Sequence, residues 1–242
     1  MDVLKYASEA YANNIKMVLF FSLPFLLAFL IPVLSPMPTF TAVGANFLRT
    51  GSMYIDLTSF DIAVIFLSFI ISMFLISFAI VSINLIIKSQ RTFTNIKKEV
   101  LDGIEKYVVS VFWLYTTAWV LILIVNLFSY EWNLNELVTP VFALAISLPI
   151  FYAPTAIVID EQRPIRAMLT SLGIIKKQFG LFIMWVLIGA AALSVIDFLF
   201  ILVQGIIPYA YLIPLTINAL IILPFLIMLQ VQIYLTKYTI LK

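Results

Sequence analysis

The chain has 242 residues, of which 64% are hydrophobic and 11% charged, and its mean hydropathy is +1.14. Soluble domains run about 45–50% apolar and about 25% charged, so a water-soluble globule is excluded. The 7 Gly, the 0 Cys and the scarcity of charge exclude collagen, disulfide scaffolds and disordered chains as well. With no cysteine and no histidine, the chain also lacks thiol chemistry, the commonest general base and the commonest zinc ligand. The composition predicts an integral membrane protein without a metal or cofactor, and the net charge of +2 is too small to predict a nucleic-acid partner.

A helix needs about 20 apolar residues to cross a hydrocarbon core about 30 Å thick. Six stretches satisfy this: 17–34, 61–87, 108–128, 137–159, 180–207 and 210–236. Barrel strands would be about ten residues of alternating polarity, and these runs are longer and continuous. The 14 basic residues then fall almost entirely on one side of six helical spans, with only Arg49 opposite. Positive charge stays cytoplasmic on insertion, which predicts a plasma or inner membrane protein with both termini inside. Tyr54, Tyr130, Trp132, Tyr209 and Tyr211 fall at outer span ends; Tyr6, Tyr11, Tyr107, Trp185, Tyr234 and Tyr238 fall near inner ones. All are expected to be interfacial anchors.

Three inner segments carry helical amphipathic spacing and lead into odd-numbered spans. The first, 1–16, repeats Leu4, Ala7, Tyr11 and Ile15; the second, 92–107, repeats Phe93, Ile96, Val100, Ile104 and Tyr107. The third, 164–179, repeats Ile165, Met168, Leu169, Leu172, Ile175 and Phe179. Apolar residues at such spacing define one buried face, and a helix of this kind lies in the headgroup plane. The expected fold is therefore all-α: a single domain, 1–242, of three hairpin units, each preceded by an interfacial leader helix. The outer loop 35–60 is itself apolar and either lies on the outer leaflet or tucks between spans.

The third leader has the most specific pattern, FYAPTAIVIDEQRPIRAMLTSLGIIKKQFGLFI. It resembles the polytopic membrane domain found fused ahead of glycerophosphodiester phosphodiesterases, and the related stand-alone prokaryotic membrane proteins. The matching positions are Pro154, Glu161, Pro164, Ile165, Ala167, Ser171, Lys176, Lys177, Phe179 and Gly180. The likeness implies a six-helix module linked to lipid metabolism or membrane organisation. The phosphodiesterase domain, with its histidines, is missing, so its activity does not carry over and no enzyme is expected.

Elementary physics assigns roles within this leader. Pro164 suits a first helical turn. Asp160 and Glu161 stand at the positive helix end, Lys176 and Lys177 at the negative one. Ala167 and Ser171, four apart, allow close approach of a neighbouring helix. Arg163, Arg166, Lys176 and Lys177 form a candidate site for anionic lipid headgroups, worth about 1 kcal/mol per charge near the surface, or for an acidic partner membrane protein or second copy. Asp197 is the acid well inside a span, about 12–15 Å deep at 1.5 Å per residue. Asn218 is expected at similar depth and Gln204 nearer the surface. An ionised carboxylate there costs at least about 2.5–3.5 kcal/mol, so Asp197 is expected to be hydrogen-bonded or to face a wet cavity. These three residues define the alternative function, a small-solute or ion transporter.

Overall fold

In the computed structural model, the structure describes residues 2–34, 40–43, 46–49, 59–92, 96–132, 134–201 and 212–238. Helices dominate. Those of the first half are α1 (Asp2–Asn13), α2 (Ile15–Leu34), α3 (Ser59–Thr92), α4 (Ile96–Glu131) and α5 (Asn135–Phe151). After them come α6 (Ala153–Ile159), α7 (Pro164–Lys177), α8 (Phe179–Ile201), α9 (Leu212–Ile217) and α10 (Leu223–Leu235). A π-helix, Asn218–Ile222, joins α9 to α10. Between α2 and α3 a short antiparallel pair is described, β1 (Phe40–Val43) with β2 (Asn46–Arg49).

Among the described residues, five helical segments are long and apolar enough to cross a membrane, and six if the bent pair α1–α2 counts as one. The chain is thus built as an integral, multi-pass membrane protein. Its apolar side chains exposed along α2, α4 and α8, such as Phe20, Leu127 and Phe198, need no covering by protein in lipid. The best-enclosed part is the end of α3, where residues 81–87 are buried on every side. α10 is enclosed by α1, α3 and α8. Gly103 of α4 makes one close approach possible, because a Cβ there would stand 2.6 Å from Leu85 of α3.

The leaders differ from one another more than their sequences predict. α1 turns by 90° into α2 at Asn14, whose side chain donates to the Ala10 carbonyl and whose own carbonyl accepts from Met17 and Val18. Gln178 does the same between α7 and α8: its N–H donates to Ile174, and its carbonyl accepts from Leu181 and Phe182. The second leader is not a separate helix. It continues without a break into α4, a single 36-residue helix about 54 Å long, because nothing between 96 and 131 interrupts the backbone hydrogen bonds.

The faces packed on protein are not the bulky apolar stripes. α1 buries Ala7 and Ala10 and sets Tyr11 edge-on to Phe225 of α10, while Leu4 and Ile15 stay exposed. α7 buries Ala167, Ser171, Ile174 and Ile175 against α5 and α6, and leaves Ile165, Leu169 and Leu172 outward. Small residues let helices approach closely in lipid, where hydrophobicity does not drive helices together. The bulky stripe is left for the surroundings.

Candidate functional site

The ends of α3, α6 and α10 meet the side of α4 at Lys106 and Tyr107 in one ionic cluster, organised by the turn between α6 and α7. Glu161 has φ of 55°, a left-handed conformation uncommon for a residue with a side chain. That turn sends its two adjacent carboxylates to different helices. Glu161 Oε1 accepts from Lys88 Nζ at 2.9 Å and Oε2 from Lys106 Nζ at 2.5 Å. Lys88 also donates to Tyr107 Oη and the Val158 carbonyl, both at 3.1 Å, so all three of its N–H donors are used.

Asp160 points to the end of α10. It accepts from Tyr234 Oη at 2.7 Å, from Lys237 Nζ and from Tyr238 Oη. Lys237 donates to Tyr234 Oη at 2.6 Å, and the Arg91 guanidinium stands 5.3 Å over the Tyr238 ring. Burial pushes the Asp160 carboxyl up, but hydrogen bonds from Lys237, Tyr238 and Tyr234 outweigh it and hold the group below the usual range. The hydrogen bond from Lys106, then that from Lys88, holds Glu161 down to about 2.

This corrects the expected role of the two acids. Neither caps α7, whose first turn begins with Pro164 after Arg163 and has no side-chain cap. A nearby ammonium is a stronger partner than the half-charge of a helix end. Two expected anchors are corrected with them, since Tyr107 and Tyr234 are buried and hydroxyl-bonded inside the cluster. Trp185 likewise donates its indole N–H to the Leu226 carbonyl at 2.7 Å. The signal was present in the sequence as lysines and acids at span ends on one side, but spacing does not say which ends meet.

Ser171 repairs the bend where α5 gives way to α6. Its hydroxyl accepts from the Tyr152 N–H at 3.0 Å and donates to the Leu148 carbonyl at 2.9 Å, standing in the place of one helical rung. Pro154, buried in the first turn of α6, has no N–H to continue the ladder. The Phe151 carbonyl accepts from Gln230 of α10 instead of from water. Ser171→Ala removes the bridge between the buried Tyr152 N–H and the part-buried Leu148 carbonyl and is expected to cost about 1–3 kcal/mol, read as a lower midpoint in detergent unfolding. Ser171→Thr, which keeps the hydroxyl, should lose less; equal losses would remove the hydroxyl from the account.

The four cations of the third leader occupy a different surface. Arg163, Arg166, Lys176 and Lys177 are all exposed, and none has an ion-pair partner among the described residues. Arg166 and Lys177 share one sector of α7, between its packed small-residue face and its outward apolar stripe.

Inside the bundle, Asn218 donates from Nδ2 to Asp197 Oδ1 at 3.0 Å, and both residues are buried. The expected pairing of depth is therefore a direct bond. Asn218 opens the π-helix, and its Oδ1 is buried without a hydrogen-bond partner. Gln204 lies outside the described residues, as do Phe93, Tyr54, Tyr209 and Tyr211. No group of three or more acids that could hold a metal occurs among the described residues. Comparison with protein-family models, curated proteins and solved structures finds no match.

Proposed function

We propose that this protein is a non-enzymatic membrane module that holds anionic lipid headgroups on a basic cytoplasmic face. Six spans in three hairpins, with both termini cytoplasmic in a plasma or inner membrane, belong to the same reading. So does the likeness of the third leader to the phosphodiesterase-associated membrane domain. One observation carries it: Lys88, Lys106 and Lys237 are paired with acids, whereas Arg163, Arg166, Lys176 and Lys177 are exposed and unpaired among the described residues. They stand beside the outward stripe Ile165, Leu169 and Leu172. Apolar residues toward the acyl region and cations toward phosphate are what an interfacial helix requires.

The test is native mass spectrometry of gently extracted protein. Wild type should retain acidic phospholipid, and a variant with Arg163, Arg166, Lys176 and Lys177 all changed to Gln should lose it. Identical lipid-free monomers would overturn the reading, and a retained protein subunit lost in the variant would replace lipid with a partner.

A second reading, small-solute or ion transport through Asp197, is favoured by the buried Asp197–Asn218 bond at a π-helix, since π-bulges inside helices occur frequently at functional sites. Substrate flux into vesicles should then vanish in Asp197→Asn; undiminished flux in that variant removes Asp197 from transport.

A further inference from the structure

A groove of about 280 Å³ runs between α4, α5 and α7. Its walls include Trp113, Thr117 and Leu121 of α4, Ile146 and Ile150 of α5, and Ile165 of α7. Thr117 supplies the only hydroxyl among the described lining residues. Trp113, Leu121 and Ile165 are themselves exposed, so the groove opens sideways onto the lipid-facing surface.

We infer that this groove binds one acyl chain of an anionic glycerophospholipid, with the phosphate at Arg163 and Lys106; the inference rests on the headgroup reading above and gives it a place. The dimensions support a single chain. From Trp113 to Leu121 the wall is about 12 Å long at 1.5 Å per residue, close to the half-thickness of a hydrocarbon core of about 30 Å. Spread over that length, the volume is too slender for a helix about 10 Å wide.

The chemistry changes along the groove in the order that a phospholipid does. Lys106 lies seven residues before Trp113, hence on the same stripe of α4 and about 10 Å nearer the basic end. It is exposed and has N–H donors beyond the one given to Glu161. Arg163 immediately precedes Pro164, another lining residue, and is exposed. Below them, the Trp113 indole N–H has no hydrogen-bond partner among the described residues and is placed for an ester carbonyl, the use to which interfacial tryptophans are suited. Beyond Trp113 the lining is hydrocarbon apart from Thr117.

The experiment uses the full chain in vesicles containing phosphatidylglycerol with a diazirine in the middle of one acyl chain, and phosphatidylcholine with the same chain as comparison. Crosslinks are mapped by peptide mass spectrometry. The expected result is labelling concentrated on residues 113–121 and 146–150, with phosphatidylglycerol favoured by about five-fold for each of Arg163 and Lys106 engaged. Thr117→Trp, which fills the groove from an exposed position, should abolish that labelling, and Ala118→Leu should reduce it. Arg163→Gln should lower the phosphatidylglycerol yield without lowering the phosphatidylcholine one. Labelling spread evenly around the bundle, or equal yields for the two lipids in the groove, overturns the inference. If the four-fold Gln variant loses acidic lipid while Thr117→Trp retains it, the groove fails and the basic-face reading stands. If the four-fold variant loses none, the basic-face reading itself fails.

Discussion

Asp160→Ala should destabilise the protein by about 3 kcal/mol, the lower end of the cost of breaking a buried ion pair, whereas Glu161→Ala should cost about 1 kcal/mol or less. The two acids are neighbours in sequence and both are ion-paired, so charge alone does not separate them. Burial does. The Asp160 and Lys237 side chains are 12% and 19% exposed, but Glu161 is 49% exposed, and its partner Lys88, though 15% exposed, has two other acceptors. Without Asp160, the Lys237 ammonium and the Tyr234 and Tyr238 hydroxyls lose their common acceptor, and α10 loses its tie to the α6–α7 turn. Without Glu161, Lys106 turns to water, and Lys88 keeps Tyr107 and the Val158 carbonyl.

Reversible unfolding in mixed detergent measures both, and equal losses would show that the cluster is not divided as the hydrogen bonds imply. The same pair sets an acid limit. Glu161 titrates at 4.5 when unperturbed and about 2 when folded, so between those values the unfolded chain binds a proton that the folded one refuses. Stability is then complete above pH 4.5 and falls as pH drops toward 2. Asp160, also lowered, adds to the loss in the same direction. The acid-dependent loss should be smaller in Glu161→Gln, and an unchanged profile would show that Glu161 does not contribute.

Changing Arg163, Arg166, Lys176 and Lys177 together to Gln should reduce the preference for phosphatidylglycerol over phosphatidylcholine by up to several hundred-fold. The figure follows from about 1 kcal/mol per cation near an anionic surface, a factor of about five each. It is an upper bound at low salt, because exposed charges are screened over about 8 Å at physiological ionic strength. Single replacements should therefore give graded losses, and added salt should diminish the wild-type preference toward that of the variant. Competition between the two lipids for reconstituted protein provides the measurement. A preference that survives all four changes, or that ignores salt, would assign selectivity to something other than these charges. Because none of the four is ion-paired among the described residues, detergent unfolding should be nearly unchanged, which separates this outcome from that of Asp160→Ala.

Composition and the lengths of the apolar runs were enough to identify an integral membrane protein with helical spans, since the cost of exposing backbone to lipid leaves few other solutions. The third leader was also readable in part. Pro164 does begin α7, and Ala167 and Ser171 do face its neighbours. Asp197 and Asn218 were placed at one depth by counting residues, and they meet.

Other features depended on contacts between distant parts of the chain. Nothing in the spacing says that Asp160 reaches Lys237, 77 positions away, or that Ser171 replaces a helical rung between Leu148 and Tyr152. The amphipathic pattern identified the leaders, but their bulky apolar stripes are not the faces packed on protein. In lipid a bulky apolar side chain is equally satisfied by solvent or protein, so hydropathy carries no information on which face is covered. Small residues and local polar matches decide that, and they act only once the helices are assembled. Composition and the apolar runs therefore determined that the chain enters a membrane as helices. The tertiary structure decided which polar groups meet, because a buried charge or carbonyl must find its partner in space rather than along the chain.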